Sequence, residues 1–219
     1  MKPTSAFVCL LVAGSLHAQN PTITSVQNES DSNSLCPGGV PFVKGTNLGN
    51  ASAKVTVGAN EAYVFNASGG TSLQIQLPVN APLGATTLTA GSSAPFNITL
   101  VQYCPGPPSN SVNGVAYIYA LHGSSGLPVT AAFPAIPDEL VDITVTGLGP
   151  TTPLYSTGTA PPDASANTNA KPSVTIGGQP ANVANSFLAP GNPASTLWSP
   201  ERRPRSPAAT KTLRSASAG

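Results

Sequence analysis

The sequence predicts an all-β protein made of two β-sandwiches in tandem, the second incomplete and followed by a disordered basic tail. Three observations predict this. The chain of 219 residues holds 24 Pro and 21 Gly but only 9 Lys+Arg and 8 Asp+Glu, a composition that argues against helices. Short runs of β-branched residues alternate with turn residues throughout the interior. Part of that pattern recurs roughly one hundred positions further on, which points to two related modules. Hydrophobic residues make up 40% of the chain, enough to fill a core, which argues against full disorder.

The N-terminus sets the expected compartment. Lys2 supplies a positive start, Ala6 to Leu16 form a short apolar run, and Leu16-His17-Ala18 offers a small residue before Gln19 for cleavage, so residues 1–18 read as a secretory signal peptide. A run of about ten apolar residues is too short to cross roughly 30 Å of hydrocarbon, and no transmembrane segment is expected elsewhere. Cys9 lies inside the run and not at its end, which disfavours a lipid anchor. The expected location is secreted, extracellular or at the cell surface.

Removing the leader leaves Cys36, Cys104 and a single histidine, His122. Two cysteines in an exported chain suggest one disulfide, and closing a loop of roughly 70 residues would stabilise by about 4 kcal/mol in the chain-entropy model. Each cysteine stands beside Pro and Gly at the edge of an apolar stretch, as in Cys36-Pro37-Gly38-Gly39 and Cys104-Pro105-Gly106, which favours the bridge over two free buried thiols.

Strands are expected at Thr22–Val26, Val40–Val43, Lys54–Val57, Ala62–Phe65, Leu73–Leu77, Thr86–Thr89 and Phe96–Val101. Alternation in Leu73-Gln74-Ile75-Gln76-Leu77 places the aliphatic residues on one buried face and the glutamines in water. The interruptions, among them Gly45, Gly49, Gly58, Gly69-Gly70, Pro82-Leu83-Gly84 and Gly91, have the spacing of a sandwich.

Gly45-Thr46-Asn47-Leu48-Gly49 returns in shortened form as Thr146-Gly147-Leu148-Gly149, and the stretch from Lys54 to Ala62 is echoed from Pro172 to Ala181. The second echo is displaced by roughly nineteen residues more than the first, which matches a Pro-, Thr- and Ala-rich insertion from Pro150 to Ala170 with the look of an exposed loop.

On these residues the chain resembles the immunoglobulin-like IPT/TIG domains. Pro21-Thr22-Ile23-Thr24-Ser25-Val26 is similar to the opening strand of that family, Pro37-Gly38-Gly39 to its turn, Gly45-Thr46-Asn47-Leu48-Gly49 to its signature and Val55-Thr56-Val57-Gly58 to the strand that follows. Ile136-Pro137-Asp138-Glu139-Leu140, Thr146-Gly147-Leu148-Gly149-Pro150-Thr151 and Thr175-Ile176-Gly177-Gly178-Gln179-Pro180-Ala181 resemble a subgroup of secreted bacterial repeat proteins of unknown function. The resemblance spans about 150 residues and implies immunoglobulin-like sandwiches at 21–103 and 114–198, joined by a Pro-rich linker at 104–113. Apart from any resemblance, Gly45, Gly49, Gly147 and Gly149 read as scaffold glycines that provide positive φ or tight turns at strand ends.

The tail from 199 to 219 departs from this pattern. From Glu201 onward it carries Arg202, Arg203, Arg205, Lys211 and Arg214, whereas residues 21–200 hold only Lys44, Lys54 and Lys171 against seven acids. No aromatic residue interleaves those cations, and a net charge of +1 gives the whole chain no strong field, so nucleic acid is not an expected partner. Strand alternation of the kind seen at Leu73–Leu77 should follow Leu188–Pro193 and does not. A frameshift or a truncated gene model near Ala194–Trp198 would produce that break; a genuine basic tail is the alternative.

No catalytic, cofactor or metal residues emerge. His122 is the one mature candidate base, and Gly123-Ser124-Ser125-Gly126 lacks the spacing of a nucleophile elbow. Glu29, Asp31 and Asn33, or Asp138, Glu139 and Asp142, could offer oxygen ligands to calcium, but neither set has the spacing of a calcium loop. Together with Glu61 and Asp163 these acids read as solvated charges and turn caps. Sequons stand at Asn28, Asn50, Asn66 and Asn97. The expected function is a structural or adhesive binding module without catalysis, with an extracellular protein or polysaccharide as partner. The alternative is a carbohydrate-binding accessory module of an exported enzyme, for which Tyr63 with Phe65 and Tyr117 with Tyr119 are the same-face aromatic pairs.

Overall fold

The computed structural model describes residues 19–30, 32–112, 115–192, 196–201 and 213–217. Every regular element among them is a β-strand, and the named strands pair antiparallel in several sheets. The leader expected at 1–18 lies outside the described residues.

The first eight strands are β1 (Thr22–Gln27), β2 (Phe42–Thr46), β3 (Val55–Val57), β4 (Asn60–Glu61), β5 (Tyr63–Ser68), β6 (Ser72–Gln76), β7 (Gly84–Ala90) and β8 (Phe96–Leu100). Each of the seven expected strands falls on one of them; β4, only two residues long, carries too little alternation to be read from sequence. They form two sheets, ordered β1-β2-β6-β5 and β4-β3-β7-β8. Val43, Leu73 and Ile75 from the first sheet and Val55, Val57 and Leu88 from the second are buried in one cluster, as in a β-sandwich. Each such side chain stabilises the fold by about 2 kcal/mol relative to exposure.

The later strands are β9 (Ser109–Val112) and β10 (Val115–Ile118), which form a hairpin, then β11 (Ala120–His122), β12 (Val141–Val145), β13 (Thr151–Thr152), β14 (Asn167–Thr168), β15 (Ser173–Ile176), β16 (Gln179–Leu188), β17 (Thr196–Glu201) and β18 (Leu213–Ser217). A second cluster gathers Ala120, Val141, Ile143, Val145, Leu148, Val174 and Val183.

The pairing order of the first eight strands returns in the later ones. β11-β12-β17-β16 repeats β1-β2-β6-β5, and β15 lies between β16 and β18 as β3 lies between β4 and β7. No described strand follows β18 in the position that β8 takes beside β7. The two hairpins also correspond: Val57 pairs with Asn60 across Gly58-Ala59, and Ile176 with Gln179 across Gly177-Gly178. Positive φ at Gly58 alone suits a type II′ turn, and positive φ at both Gly177 and Gly178 suits type I′.

Two expectations need correction. Disorder from residue 199 onward does not hold over Ser199–Glu201, which completes β17, or over Leu213–Ser217, which forms β18. β12 and β16 face a common gap, and a strand running between them satisfies both ladders of backbone groups, a pairing that composition does not reveal. The insertion from Pro150 to Ala170 is likewise not a wholly exposed loop. β13 pairs with β14, Asn167 pairs with Phe187 of β16, and Pro161 and Ala166 are buried.

A candidate functional site at the seam between the two cores

Cys36 and Cys104 form a disulfide, with Cα atoms 5.4 Å apart across a sequence separation of 68. Both are buried. The bridge ties the β1–β2 connection to the chain just after β8, and it holds that chain against the second core. Cys104 N–H donates to Gly147 O at 2.9 Å, and Gly106 and Thr146 exchange backbone bonds of 3.0 and 3.1 Å. The start of the expected linker is therefore laid as a short ladder on the segment entering the second signature turn.

The glycines of that turn admit the chain that follows β8, whereas in the first signature the close approach falls on Gly45, where a Cβ would strike Thr22 O. Asn47 and Gly147 occupy matching positions with φ of 54° and 74°, and Leu48 and Leu148 beside them are both buried. A Cβ at Gly147 would collide with the Cys104 carbonyl oxygen and lie 2.7 Å from its Sγ, and one at Gly149 would lie 2.7 Å from the Tyr103 ring. Asn can adopt positive φ in an open turn, but only Gly also permits this backbone approach. The exchange of Asn47 for Gly147 between the two echoes was the available sequence signal for that crowding.

The insertion supplies a strap across the seam. Val79 N–H donates to Thr157 Oγ1 at 3.1 Å, and Gly158 N–H donates to Gln76 Oε1 at 2.6 Å. Gln76 is consequently buried and not in water, while Leu73, Ile75 and Leu77 line the core as their alternation predicts. Gln74 stays within the first core, with its Nε2 donating to Glu29 Oε1 at 3.1 Å. Burial raises the Glu29 pKa above its usual range, and its contacts with the Thr146 side chain and the Gln74 amide offset this only in part.

Beside the strap lies a cleft of about 270 Å³, lined in part by Gln76, Leu83, Gln102, Leu148, Leu154 and Tyr155. Among the described residues no Asp, Glu, Lys, Arg or His lines it. Amides, a phenol and aliphatic surface suit an uncharged ligand or an extended chain more than an ion.

The remaining candidates do not converge. His122 is buried in β11, with Nδ1 against Glu139 Oε1 and Nε2 3.2 Å from Phe133 O, so neither nitrogen faces Ser124 or Ser125. Among the described residues no three His, Cys, Asp or Glu side chains gather as a metal site. Asp31 lies outside the described residues. Asn28 is buried, and its Oδ1 accepts from Ser30 and Ser32 N–H, so this sequon is occupied by a turn. Tyr63 and Phe65 meet edge to face at 83°, with the Gly158 backbone against the Tyr63 ring, and so form no flat platform. The side chain of Tyr117 lies outside the described residues.

The chain matches no protein-family model, no curated protein and no solved structure. Among the described residues no helix is long and apolar enough to cross a membrane.

Proposed function

We propose that the chain is a pair of immunoglobulin-like sandwiches of IPT/TIG type, the first at 21–103 and the second running from 114 to include β17 and β18, that serves outside the cell as a structural or adhesive module and carries out no chemistry. The observation that carries this reading is the shared pairing order of β1-β2-β6-β5 and β11-β12-β17-β16, with turns of matching φ at Asn47 and Gly147. A buried disulfide is consistent with an oxidising compartment. A fixed relation across the seam suits a module that presents a binding surface, and recognition falls to loops and to the uncharged cleft beside the strap. The partner is an extracellular protein or a polysaccharide.

The test is adhesion of beads coated with the chain from Gln19 to panels of extracellular proteins and cell-wall polysaccharides, with release of soluble product followed in parallel. Saturable adhesion without product supports the proposal. Turnover of any panel member, or adhesion no greater than that of albumin-coated beads, would sink it.

A further inference from the structure

We propose that His122, Glu139 and Phe133 form a proton-dependent clasp that holds the segment 123–140 over the outer edge of β11. Among the described residues β11 ends its sheet, paired with β12 as its one named strand partner. Its other edge is covered by the segment that follows it: His122 N–H donates to Leu127 O and Val129 N–H to Ala120 O, both at 2.9 Å, and Leu121 bridges to Pro128. An uncovered edge of this kind is a template for pairing with another chain.

The clasp fixes the far end of that cover. His122 is 2% exposed, its ring lies 4.1 Å from the Phe133 ring at a 41° tilt, and its two nitrogens face Glu139 Oε1 and Phe133 O. Glu139 Oε2 accepts from Ile136 N–H at 2.9 Å, which closes the segment on itself. A carbonyl oxygen and a carboxylate offer no proton, so satisfying both ring nitrogens takes two N–H groups on the ring, or one on the ring and one on the carboxyl. Either way the His122–Glu139 pair shares one proton beyond that of a neutral imidazole facing a carboxylate. When that proton leaves for solvent, a nitrogen lone pair faces an oxygen lone pair in a buried site, and the clasp loosens. The other titratable groups of the surrounding elements are Asp138 on the segment, Asp142 on β12 and the exposed Tyr119 before β11. Leu127, Phe133, Ile136 and Leu140 are exposed on the segment, so its release moves apolar surface together with the strand edge.

The experiment is amide hydrogen exchange of the full chain between about pH 5 and 8, the range in which histidine ordinarily changes charge, corrected for intrinsic rates. The probes are the amides of Val129 and His122, with that of Ile75 in the first core as reference. Protection of the two probes should fall at least about tenfold more than that of Ile75 as pH rises, together with the NMR titration of the His122 ring. In Glu139→Gln the side-chain amide donates to the neutral ring and its oxygen still receives Ile136 N–H, so protection should stay high and flat with pH. Flat protection in the unmodified chain, a fall that does not follow the His122 ring, or an unchanged fall in Glu139→Gln would each overturn the proposal.

Discussion

Gln76 Oε1 accepts the backbone N–H of Gly158 at 2.6 Å, so a residue of β6 in the first core anchors the strap that leaves the second core. Gln76→Leu keeps the volume and removes the acceptor. The Gly158 amide must then stay unsatisfied or lift into water, and we expect a loss of about 1–3 kcal/mol. Faster exchange at Gly158 and faster proteolysis within 154–158 should accompany it; unchanged exchange there would show that the bond does not hold the strap.

Gly147 and Gly191 separate crowding from backbone strain. Both have positive φ, 74° and 72°, but a Cβ at Gly191 would meet nothing within 4 Å, whereas one at Gly147 would strike the Cys104 backbone. Gly191→Ala should cost about 1 kcal/mol and Gly147→Ala about 3 kcal/mol or more, since the latter must also displace the Cys104 ladder. Chemical denaturation of the two variants decides it, and equal losses would mean that the seam yields easily.

The strands of the first core were legible because one face of each is buried and the other faces water or a short polar contact, so the side-chain period survives in the residues. Leu73, Ile75 and Leu77 show this directly. Gln76 departs from the period because its partner lies 82 positions away, and alternation carries no information about so distant a contact. The strap was hidden for the same reason: a stretch rich in Pro, Thr and Ala reads as exposed whether or not its backbone is paired. β17 and β18 were missed because their placement follows from gaps beside β12, β16 and β15 and not from their own composition. The disulfide was read from two cysteines and an inferred compartment, but its position under Gly147 needed the fold.

Replacing Cys36 and Cys104 together by Ser tests whether the bridge supports the seam as well as the first core. The closed loop of 68 positions argues for a loss of about 2–4 kcal/mol. Because Cys104 N–H donates to Gly147 O, its exchange should accelerate more than that of Ile75, whose amide is bonded to Pro41 O within the first core. Equal acceleration at both would confine the bridge's role to global stability.

Glu29 makes the seam sensitive to pH in a direction opposite to that of an ion-paired carboxylate. Its folded-state pKa is raised from the ordinary 4.5, first by burial, so the folded chain binds this proton more tightly than the unfolded chain does. The associated stability is fully present below the unfolded value and is lost as pH rises through the folded one, because a half-buried carboxyl must then ionise with one oxygen lacking a hydrogen-bond partner. Glu29→Gln keeps an acceptor for Gln74 Nε2 and removes the charge. The variant should match the unmodified chain in acid and exceed it in denaturant midpoint near neutral pH, with the gap opening just above the ordinary carboxylate range. Urea unfolding of both chains from about pH 4 to 8 measures this. A gap that closes as pH rises, or a variant that is less stable throughout, would show that the ionised carboxylate is held by the seam and not penalised by it.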